Sequence, residues 1–330
     1  MAQSGSALRW GCRGRRFKSC RPDHFNFYRL ENFMISNQPK VGWIGLGVMG
    51  FSMAQNLLHS DLEVSVFSRT REKAEPLLKQ GATWKENPAE LAQGVDFLFS
   101  MVGYPKDVED IYFQQNGIFE GVTEDTVLID MTTSSPELAG NIATRARNMG
   151  AYSLDAPVSG GDIGARNGSL AIMCGGDEKA YNQTLDLFKI MGGNIDYFGS
   201  AGAGQRVKMS NQILIASTMI GTVEAMLYAE KANLDMGKVI QLIGQGAAGC
   251  WSLNQLGPRM IKEDWEPGFY VKHFIKDIKI ALDDAEKMGL ELKGLELAKC
   301  FYSEVISAGY PEKGTQVLLK VLRSMNKRTP

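Results

Sequence analysis

Short apolar runs alternate with amphipathic segments along the first two thirds of the chain, from about residue 41 to residue 198. Each run has the length of a buried strand, and the segments between them carry apolar residues at helical spacing. Strands that alternate with helices indicate parallel pairing and right-handed crossovers, which defines an α/β domain. The predicted strands span residues 41–44, 62–67, 96–102, 126–131, 151–156, 169–174 and 195–198, and the predicted helices span 51–59, 71 onward, 136–149 and 178–191.

The last third of the chain predicts helices only. A glycine-rich segment, Gly199 to Gly204, is followed by a helical run from residue 205 to 233 that is apolar on nearly every side. Such a helix is typically covered by both its own domain and a partner. Further helices are predicted over residues 235–245, 273–288, 294–308 and 314–327. We therefore place one domain at residues 40–202 and an all-helical substrate and oligomerisation domain at residues 203–330.

A G-x-G-x-x-G motif, Gly45 to Gly50, lies between the first strand and the first helix. An ordinary glycine turn is the alternative, but this strand–turn–helix order is the context that a dinucleotide-binding fingerprint requires. The helix N-terminus then offers N–H groups and a positive dipole end to a pyrophosphate. The sequence thus predicts a Rossmann-type doubly wound, mostly parallel sheet followed by an all-α C-terminal domain with a long interdomain helix. The cofactor-binding residues predicted in this turn are Gly45, Leu46, Gly47, Val48, Met49 and Gly50.

The turn after the second strand indicates which nucleotide binds. An acidic residue there would bond the ribose 2′-hydroxyl of NAD, but the positions are Ser68, Arg69 and Thr70. Arg69 could instead pair with a 2′-phosphate through a charge-assisted fork. This favours NADP over NAD, and a solvated surface arginine is the alternative interpretation.

Other polar and glycine positions follow the carboxyl ends of later strands, where such sheets bind ligands. Val102, Gly103 and Thr133 are candidates for cofactor contact, although Thr133 could simply be a helix N-cap. The segment from Ser159 through Gly160 to Gly161 could converge backbone N–H groups and a hydroxyl on a small carboxylate. A plain loop is the alternative for that segment.

One amine lies on the otherwise apolar long helix. Lys208, Asn211 and Gln212 have i, i+3 and i+4 spacing and share a face. Lysine is rarely buried without a partner, and a buried amine shifts its pKa readily. A lysine that extends from the first turn toward solvent is the alternative. Farther along, Lys276-Asp277 could be a solvent-facing ion pair of little energetic value.

Composition excludes several classes of protein. The chain has 330 residues and a net charge of −1, which gives room for two domains and no reason to expect nucleic acid or an anionic membrane as partner. The most apolar long stretch, residues 213–229, contains serine, threonine and glutamate, which favours a buried helix over a membrane span.

No cysteine belongs to a C-x-x-C pair or to a Cys/His cluster with zinc spacing, so we expect no metal and a reducing compartment such as the cytoplasm.

Residues 1–39 do not resemble part of a fold. Six basic residues precede the first acid, Asp23. One interpretation is a mitochondrial transit peptide, which would direct the protein to the matrix. The other is that residues 14–24, which resemble the conceptual translation of the 3′ end of a bacterial tRNA gene, are never translated and that Met34 is the start. We favour Met34, and N-terminal sequencing that finds earlier residues in the native protein would contradict it.

Four motifs in order resemble the β-hydroxyacid dehydrogenase family, especially its 3-hydroxyisobutyrate dehydrogenase-like members. The similarity extends from Val41 to about Leu322. The motifs are Gly42-Trp-Ile-Gly-Leu-Gly-Val-Met-Gly, Asp155-Ala-Pro-Val-Ser-Gly-Gly, Gly202-Ala-Gly-Gln-Arg-Val-Lys and Lys276-Asp277.

The resemblance implies a reaction and a role for each matching residue. Hydride would pass between a nicotinamide and a carbon bearing a hydroxyl or aldehyde, with Lys208 as general acid and base. Burial and the second ammonium at Lys276 would both disfavour the charged lysine, so oxidation should gain with rising pH. Ser159, Gly160 and Gly161 would hold the substrate carboxylate, Asn211 and Gln212 would contact substrate, and Thr133 and Lys276 would contact the cofactor. Many family members have asparagine where this chain has Gln212, and the glutamine side chain is longer by one methylene group.

The same resemblance leaves alternatives for the substrate and the class. A small β-hydroxy acid of the 3-hydroxyisobutyrate type is expected, and an NADPH-dependent reductase of glyoxylate, succinic semialdehyde or tartronate semialdehyde is the alternative. Imine reductases and dehydrogenase-like binding modules without catalysis are further alternatives. Both resemble relatives in which the lysine is replaced, so Lys208 argues against them. The helical last third implies a homodimer or homotetramer.

Overall fold

The computed structural model describes residues 38–328, and the predictions made for residues 1–37 lie outside them. Nine strands are found in this part of the chain. They are β1 (Lys40–Ile44), β2 (Glu63–Phe67), β3 (Thr83–Trp84), β4 (Phe97–Ser100), β5 (Val127–Asp130), β6 (Tyr152–Asp155), β7 (Val158–Ser159), β8 (Leu170–Gly176) and β9 (Gly192–Tyr197).

The strands form one sheet in the order β3-β2-β1-β4-β5-β6-β8-β7, and β9 pairs with β8. The six strands from β3 to β6 are all parallel, whereas β8 runs antiparallel to β6 and β7. The order reverses between β1 and β4, which creates a crevice at the carboxyl ends of those strands. The prediction of a Rossmann-type, mostly parallel sheet is confirmed.

Eight helices accompany the sheet and flank its parallel strands. They are α1 (Val48–Leu58), α2 (Glu75–Leu78), α3 (Pro88–Ala92), α4 (Pro105–Phe113), α5 (Ile118–Gly121), α6 (Pro136–Asn148), α7 (Gly161–Asn167) and α8 (Glu178–Met191). A single 3₁₀ turn, Arg71–Lys73, precedes α2. The core on one side of the sheet contains Trp43 and Phe99, whose rings stack at a centroid distance of 5.5 Å.

Six helices make up the rest of the described chain. They are α9 (Ala203–Lys231), α10 (Met236–Ile243), α11 (Gly257–Ile261), α12 (Val271–Lys287), α13 (Lys293–Ser307) and α14 (Leu318–Arg328), with a π-helical turn at Ser252–Leu256 and a 3₁₀ turn at Thr315–Val317. The 29-residue α9 is long and apolar enough to cross a membrane, but it packs against β8, α12 and α13 and contributes to a separate helical core. The prediction of an all-α C-terminal part with a long helix is confirmed.

Several predicted boundaries were wrong. Helix α1 begins at Val48 rather than at residue 51, because Gly47 is its N-cap and the motif continues inside the first turn. The charged helix expected from Arg71 is only a 3₁₀ turn and one four-residue helix. Short elements such as β3, α3 and α5 were missed because they are shorter than the window in which periodicity is legible.

Candidate active site

The glycine turn after β1 is shaped by steric contacts at two of its three glycines. Gly45 has φ +97°, and a Cβ there would lie 2.2 Å from the carbonyl oxygen of Met101. A Cβ at Gly50 would lie 2.1 Å from the carbonyl oxygen of Gly45, so only glycine lets α1 approach the turn. A Cβ at Gly47 would have no neighbouring heavy atom within 4 Å, so the backbone at this position is open to an approaching ligand.

The N-terminus of α1 has the properties of an anion site. No side chain caps it, and no acidic residue lies in its first turn. The first N–H groups of a helix have no carbonyl partner within the helix, and they carry the positive end of its dipole. Together with the open backbone at Gly47, these features fit the pyrophosphate of a dinucleotide.

Arg69 lies beyond the end of β2, between half-buried Ser68 and exposed Thr70. Its side chain is 80% exposed, and its Nη1 is 2.9 Å from Oδ1 of Asp107. The other carboxylate oxygen of Asp107 accepts the backbone N–H of Tyr104 at 3.1 Å, which caps the start of α4. Arg69 is therefore held beside the loop after β4 by a single nitrogen.

The loops that follow β4 and β5 are bonded to each other and to the helical part of the chain. Val102 donates its N–H to Oγ1 of Thr132 at 3.0 Å. The ammonium of Lys276 donates to the carbonyl oxygen of Thr133 at 2.6 Å. These contacts bring three predicted cofactor residues, Val102, Thr133 and Lys276, into one region, and Gly103 follows directly in the same loop.

Helix α12 also contacts the loop after β4 through a histidine. A Cβ on Gly103 would lie 3.9 Å from Cε1 of His273, and the ring of Tyr104 is 5.4 Å from that imidazole. Burial, together with the charges of Lys276 and Lys272, lowers the pKa of His273, which favours the neutral imidazole. His273 therefore lies against the loop that follows β4, beside Gly103 and Tyr104.

The predicted carboxylate-binding segment begins on β7 with Ser159. Gly160 and Gly161 follow with φ of +129° and +62°, two successive left-handed conformations that favour glycine. A Cβ at Gly161 would lie 3.3 Å from the carbonyl oxygen of Gly268 in the segment before α12. Successive backbone N–H groups in such a turn can converge on an anion.

Lys208 lies in the second turn of α9 and is 6% exposed. Burial lowers the pKa of its ammonium to about 8, and Lys276 adds to that effect while the carboxylate of Asp277 opposes it. Within residues 38–328 the Lys208 side chain makes no hydrogen bond. A buried amine that has a pKa of about 8 and no hydrogen-bond partner among the described residues is suited to exchange a proton with a bound molecule.

A buried polar network lies beside this amine. Gln212 donates through Nε2 to Oδ2 of Asp277 at 2.7 Å, and its Oε1 accepts Nδ2 of Asn211 at 2.8 Å. Lys276 Nζ lies 3.0 Å from the other oxygen of Asp277, whose side chain is 1% exposed. The longer glutamine side chain at position 212 thus reaches across from α9 to α12.

Two buried residues near the site were missed by sequence reasoning. Asp155 accepts the N–H groups of Gly202 at 2.7 Å and Gln205 at 2.8 Å, which caps the N-terminus of α9 at the carboxyl end of β6. The side chain of Gln205 bonds the loop after β5. Both residues stand inside motifs that the sequence analysis recognised, but their partners are distant in sequence and only the fold pairs them.

The described residues contain no group of three or more His, Cys, Asp or Glu side chains that could hold a metal ion.

Comparison with known proteins agrees with this geometry. Residues 40–199 match the family described as the NAD binding domain of 6-phosphogluconate dehydrogenase, and residues 202–322 match the NAD-binding family of NADP-dependent 3-hydroxyisobutyrate dehydrogenase. An uncharacterized oxidoreductase, YkwC, of Bacillus subtilis (strain 168) is 53% identical over 85% of this chain and 98% of its own. The probable 3-hydroxyisobutyrate dehydrogenase-like 1, mitochondrial, of Arabidopsis thaliana is 46% identical over 90% of this chain and 89% of its own.

A solved structure has the same architecture. The 3-hydroxyisobutyrate dehydrogenase of Mycobacterium tuberculosis with L-serine superimposes with a TM-score of 0.81 at 27% identity, covering 87% of this chain and all of that one.

The family matches and the relatives show that the protein is an NAD(P)-dependent oxidoreductase that acts on CH–OH groups. The chain belongs to the 3-hydroxyisobutyrate dehydrogenase-like branch of the β-hydroxyacid dehydrogenase family. The family predicted from the four motifs is thereby confirmed, and the alternative of a binding module without catalysis is wrong.

Proposed function

We propose that the protein interconverts a small β-hydroxy acid of the 3-hydroxyisobutyrate type and its semialdehyde, with Lys208 as general acid and base. The observation that supports this most directly is the buried Lys208 amine, whose pKa is lowered to about 8. A group with a pKa near the working pH can both accept and donate a proton during turnover.

Lys208 would act on the oxygen of the reacting carbon. In oxidation the neutral amine accepts the proton of the substrate hydroxyl, and in reduction the ammonium stabilises the developing alkoxide and donates a proton to it. A bound nicotinamide supplies or accepts the hydride. Lys208 is largely buried, so little water competes with bound substrate for its proton, and the amine equilibrates with solvent between turnovers.

The substrate carboxylate would be held by Ser159 and the N–H groups of Gly160 and Gly161. Asn211, half-buried on the same helix as Lys208, is proposed to orient the substrate beside them. Gln212 is committed to Asp277 and Asn211 by its two hydrogen bonds, which favours a supporting role in which it fixes the Asn211 amide. Holding the substrate in one orientation lowers the activation barrier for hydride transfer.

NADP is the proposed cofactor, with NAD as the alternative. The exposed guanidinium of Arg69 uses one nitrogen for Asp107 and has further N–H groups for a 2′-phosphate. The backbone from Gly45 to Gly50 would hold the pyrophosphate, and Thr133 and Lys276 would adjoin the nicotinamide.

The role of Lys208 is tested by Lys208→Ala. We expect kcat to fall by about 10²- to 10⁴-fold, because general acid–base catalysis contributes on that order. Equilibrium titration of NADPH should give an unchanged Kd, because the amine handles the substrate proton and not the cofactor. Lys231→Ala, at the exposed end of the same helix, is the matched control and should be fully active. Wild-type kcat in Lys208→Ala would refute the assignment.

A reductase of glyoxylate, succinic semialdehyde or tartronate semialdehyde is the second candidate. Relatives at 35% and 30% identity are named 2-hydroxy-3-oxopropionate reductase and glyoxylate/succinic semialdehyde reductase 2. Arg69 favours this reading, since NADPH is the usual reductant. Steady-state kinetics with each acid and both cofactors would rank the substrates by kcat/KM.

A second copy of the chain is the proposed macromolecular partner. The exposed face of α9 includes Leu214, which is 65% exposed, and Tyr228, which is 77% exposed, with Gly221 between them. Two such faces could pack together through their small and apolar residues.

We propose a cytoplasmic location, with the mitochondrial matrix as the alternative. The three cysteines in the described range, Cys174, Cys250 and Cys300, are free thiols, as a reducing compartment allows. Immunolocalisation of the native protein would distinguish the two.

A further inference from the structure

Gln205 is a fully buried polar side chain with two hydrogen bonds to the main chain of another element. It lies in the first turn of α9 and is 0% exposed. Its Oε1 accepts the N–H of Ser134 at 2.9 Å, and its Nε2 donates to the carbonyl oxygen of Thr132 at 2.8 Å. These two peptide groups flank Thr133, so the side-chain amide of Gln205 hydrogen-bonds the main chain on both sides of that residue.

The loop from Thr132 to Ser134 is held at Thr132 by Val102 and Asp130 as well, but at the N–H of Ser134, Gln205 is the partner that the described residues provide. The hydroxyl of Ser134 is buried and has no hydrogen-bond partner in the part of the chain that the structure describes, so it does not fix the loop. The carbonyl oxygen of Thr133 is held by Lys276. Side chains of the helical domain thus hold the main chain at each of the three loop residues.

The main chain of Gln205 is itself anchored. Its N–H donates to Oδ2 of Asp155 at 2.8 Å, at the end of β6. The segment that begins at Ser159 follows Asp155 closely in sequence. Lys208 lies three residues beyond Gln205 on the same helix, which is less than one turn away.

We infer that Gln205 is a positioning residue that fixes the separation between the Lys208 amine and the Thr133 loop. This inference rests on the proposed function, in which Lys208 exchanges the proton and Thr133 adjoins the nicotinamide. Gln205 contacts neither the Lys208 amine nor the Thr133 side chain. It acts by fixing the position of the Thr132–Ser134 loop relative to α9. Reacting groups must be held within a fraction of an ångström, so an isosteric change at Gln205 should slow hydride transfer.

The side chain at position 205 must both donate and accept a hydrogen bond, which distinguishes the wild type from two variants. Glutamine does both. Gln205→Glu keeps the size and the acceptor for Ser134 but loses the donor for Thr132, and Gln205→Met keeps the approximate length and loses both. Gln205→Glu also buries a carboxylate against the carbonyl oxygen of Thr132, so both variants should slow hydride transfer. Thr184→Val is the matched control, because Thr184 is also 0% exposed and bonds a carbonyl, that of Ala180, within the outer helix α8.

The test measures turnover, isotope effect and cofactor binding for the full-length enzyme. With the best aldehyde acid of the substrate series, Gln205→Met should lower kcat by about 10- to 100-fold. The primary isotope effect on kcat with deuterated NADPH should rise, because hydride transfer becomes slower than product release. Fluorescence titration should give a Kd for NADPH close to that of the wild type, and the pH midpoint set by Lys208 should not move.

The outcomes separate a positioning role from a structural one. If Gln205→Met lowers the melting temperature as Thr184→Val does but keeps the wild-type kcat and isotope effect, the inference is wrong. If Gln205→Met does not fold, Gln205→Glu carries the same test, and wild-type kcat and isotope effect in that variant overturn it. Failure of the proposed function itself looks different, because Lys208→Ala would then retain activity.

Discussion

The proposed mechanism depends on the titration of one side chain, Lys208. Lys208 is buried, and its pKa of about 8 lies well below that of a lysine in water. At pH 7 roughly nine tenths of the amines would be protonated, and at pH 9 roughly nine tenths would be neutral. The proposed mechanism uses the ammonium for reduction and the neutral amine for oxidation.

The two directions should therefore respond oppositely to pH. We expect the reductive rate to fall, and the oxidative rate to rise, as pH increases through about 8. Initial rates in both directions from pH 6 to pH 10 would measure the midpoint. Asp277→Asn should shift it to lower pH, because the carboxylate of Asp277 favours the ammonium. A midpoint near the ordinary lysine value, or parallel profiles, would contradict the role of Lys208.

The proposed preference for NADP rests on one side chain, Arg69. Arg69→Gln should raise the Kd for NADPH by about tenfold or more and leave that for NADH nearly unchanged, since a charge-assisted bond to phosphate is lost. Fluorescence titration with both nucleotides measures the ratio. Arg147→Gln, a similarly exposed arginine on α6, is the control and should change neither value. Equal effects of Arg69→Gln on the two nucleotides would argue for NAD as the natural cofactor.

At the scale of elements, the attachment of α9 to the sheet depends on a buried carboxylate. Asp155→Ala would leave two buried N–H groups at the start of α9 without an acceptor. We expect the free energy of unfolding to fall by about 2–4 kcal/mol. Urea denaturation at pH 7 measures it, and Asp155→Asn, which keeps one acceptor, should lose less. Wild-type stability in Asp155→Ala would show that water replaces the carboxylate.

The longer elements were predictable and the shorter ones were not. The strands from β1 to β6, apart from the two-residue β3, and helices such as α8 and α12 were predicted because apolar periodicity persists over enough residues. The Pro88 and Pro105 that open α3 and α4 were available signals, since proline is favoured at the first helical position. The expected start of α1 was wrong because a glycine-rich turn hides its N-cap.

The site was predictable as far as its residues lie in recognisable motifs. The glycine turn, Lys208 and the Lys276-Asp277 pair could be named from sequence, although their roles remain predictions. The bonds of Gln212 to Asp277 and of Gln205 to the loop after β5 could not, because each joins residues more than 60 positions apart. No local pattern encodes such a partner.

At the scale of the whole molecule, the exposed apolar face of α9 predicts self-association. Leu214→Glu should shift the protein toward the monomer, because a charge would be buried at the contact between copies. Size-exclusion chromatography with light scattering measures the mass. Leu297→Glu on α13, an exposed leucine at 45%, is the control and should leave the mass unchanged. An unaltered mass for Leu214→Glu would place the contact elsewhere.

The polar ties between the sheet and the helical half have a consequence for motion during turnover. Lys276 and Gln205 bond the loop after β5, and Lys287 bonds Glu137 at the start of α6. A hinge that separated the two halves would have to break these bonds. These bonds oppose such a motion, so we expect solution scattering curves recorded with and without NADPH to be similar. Release of product would then be limited by local loop rearrangement and not by reopening of the domains.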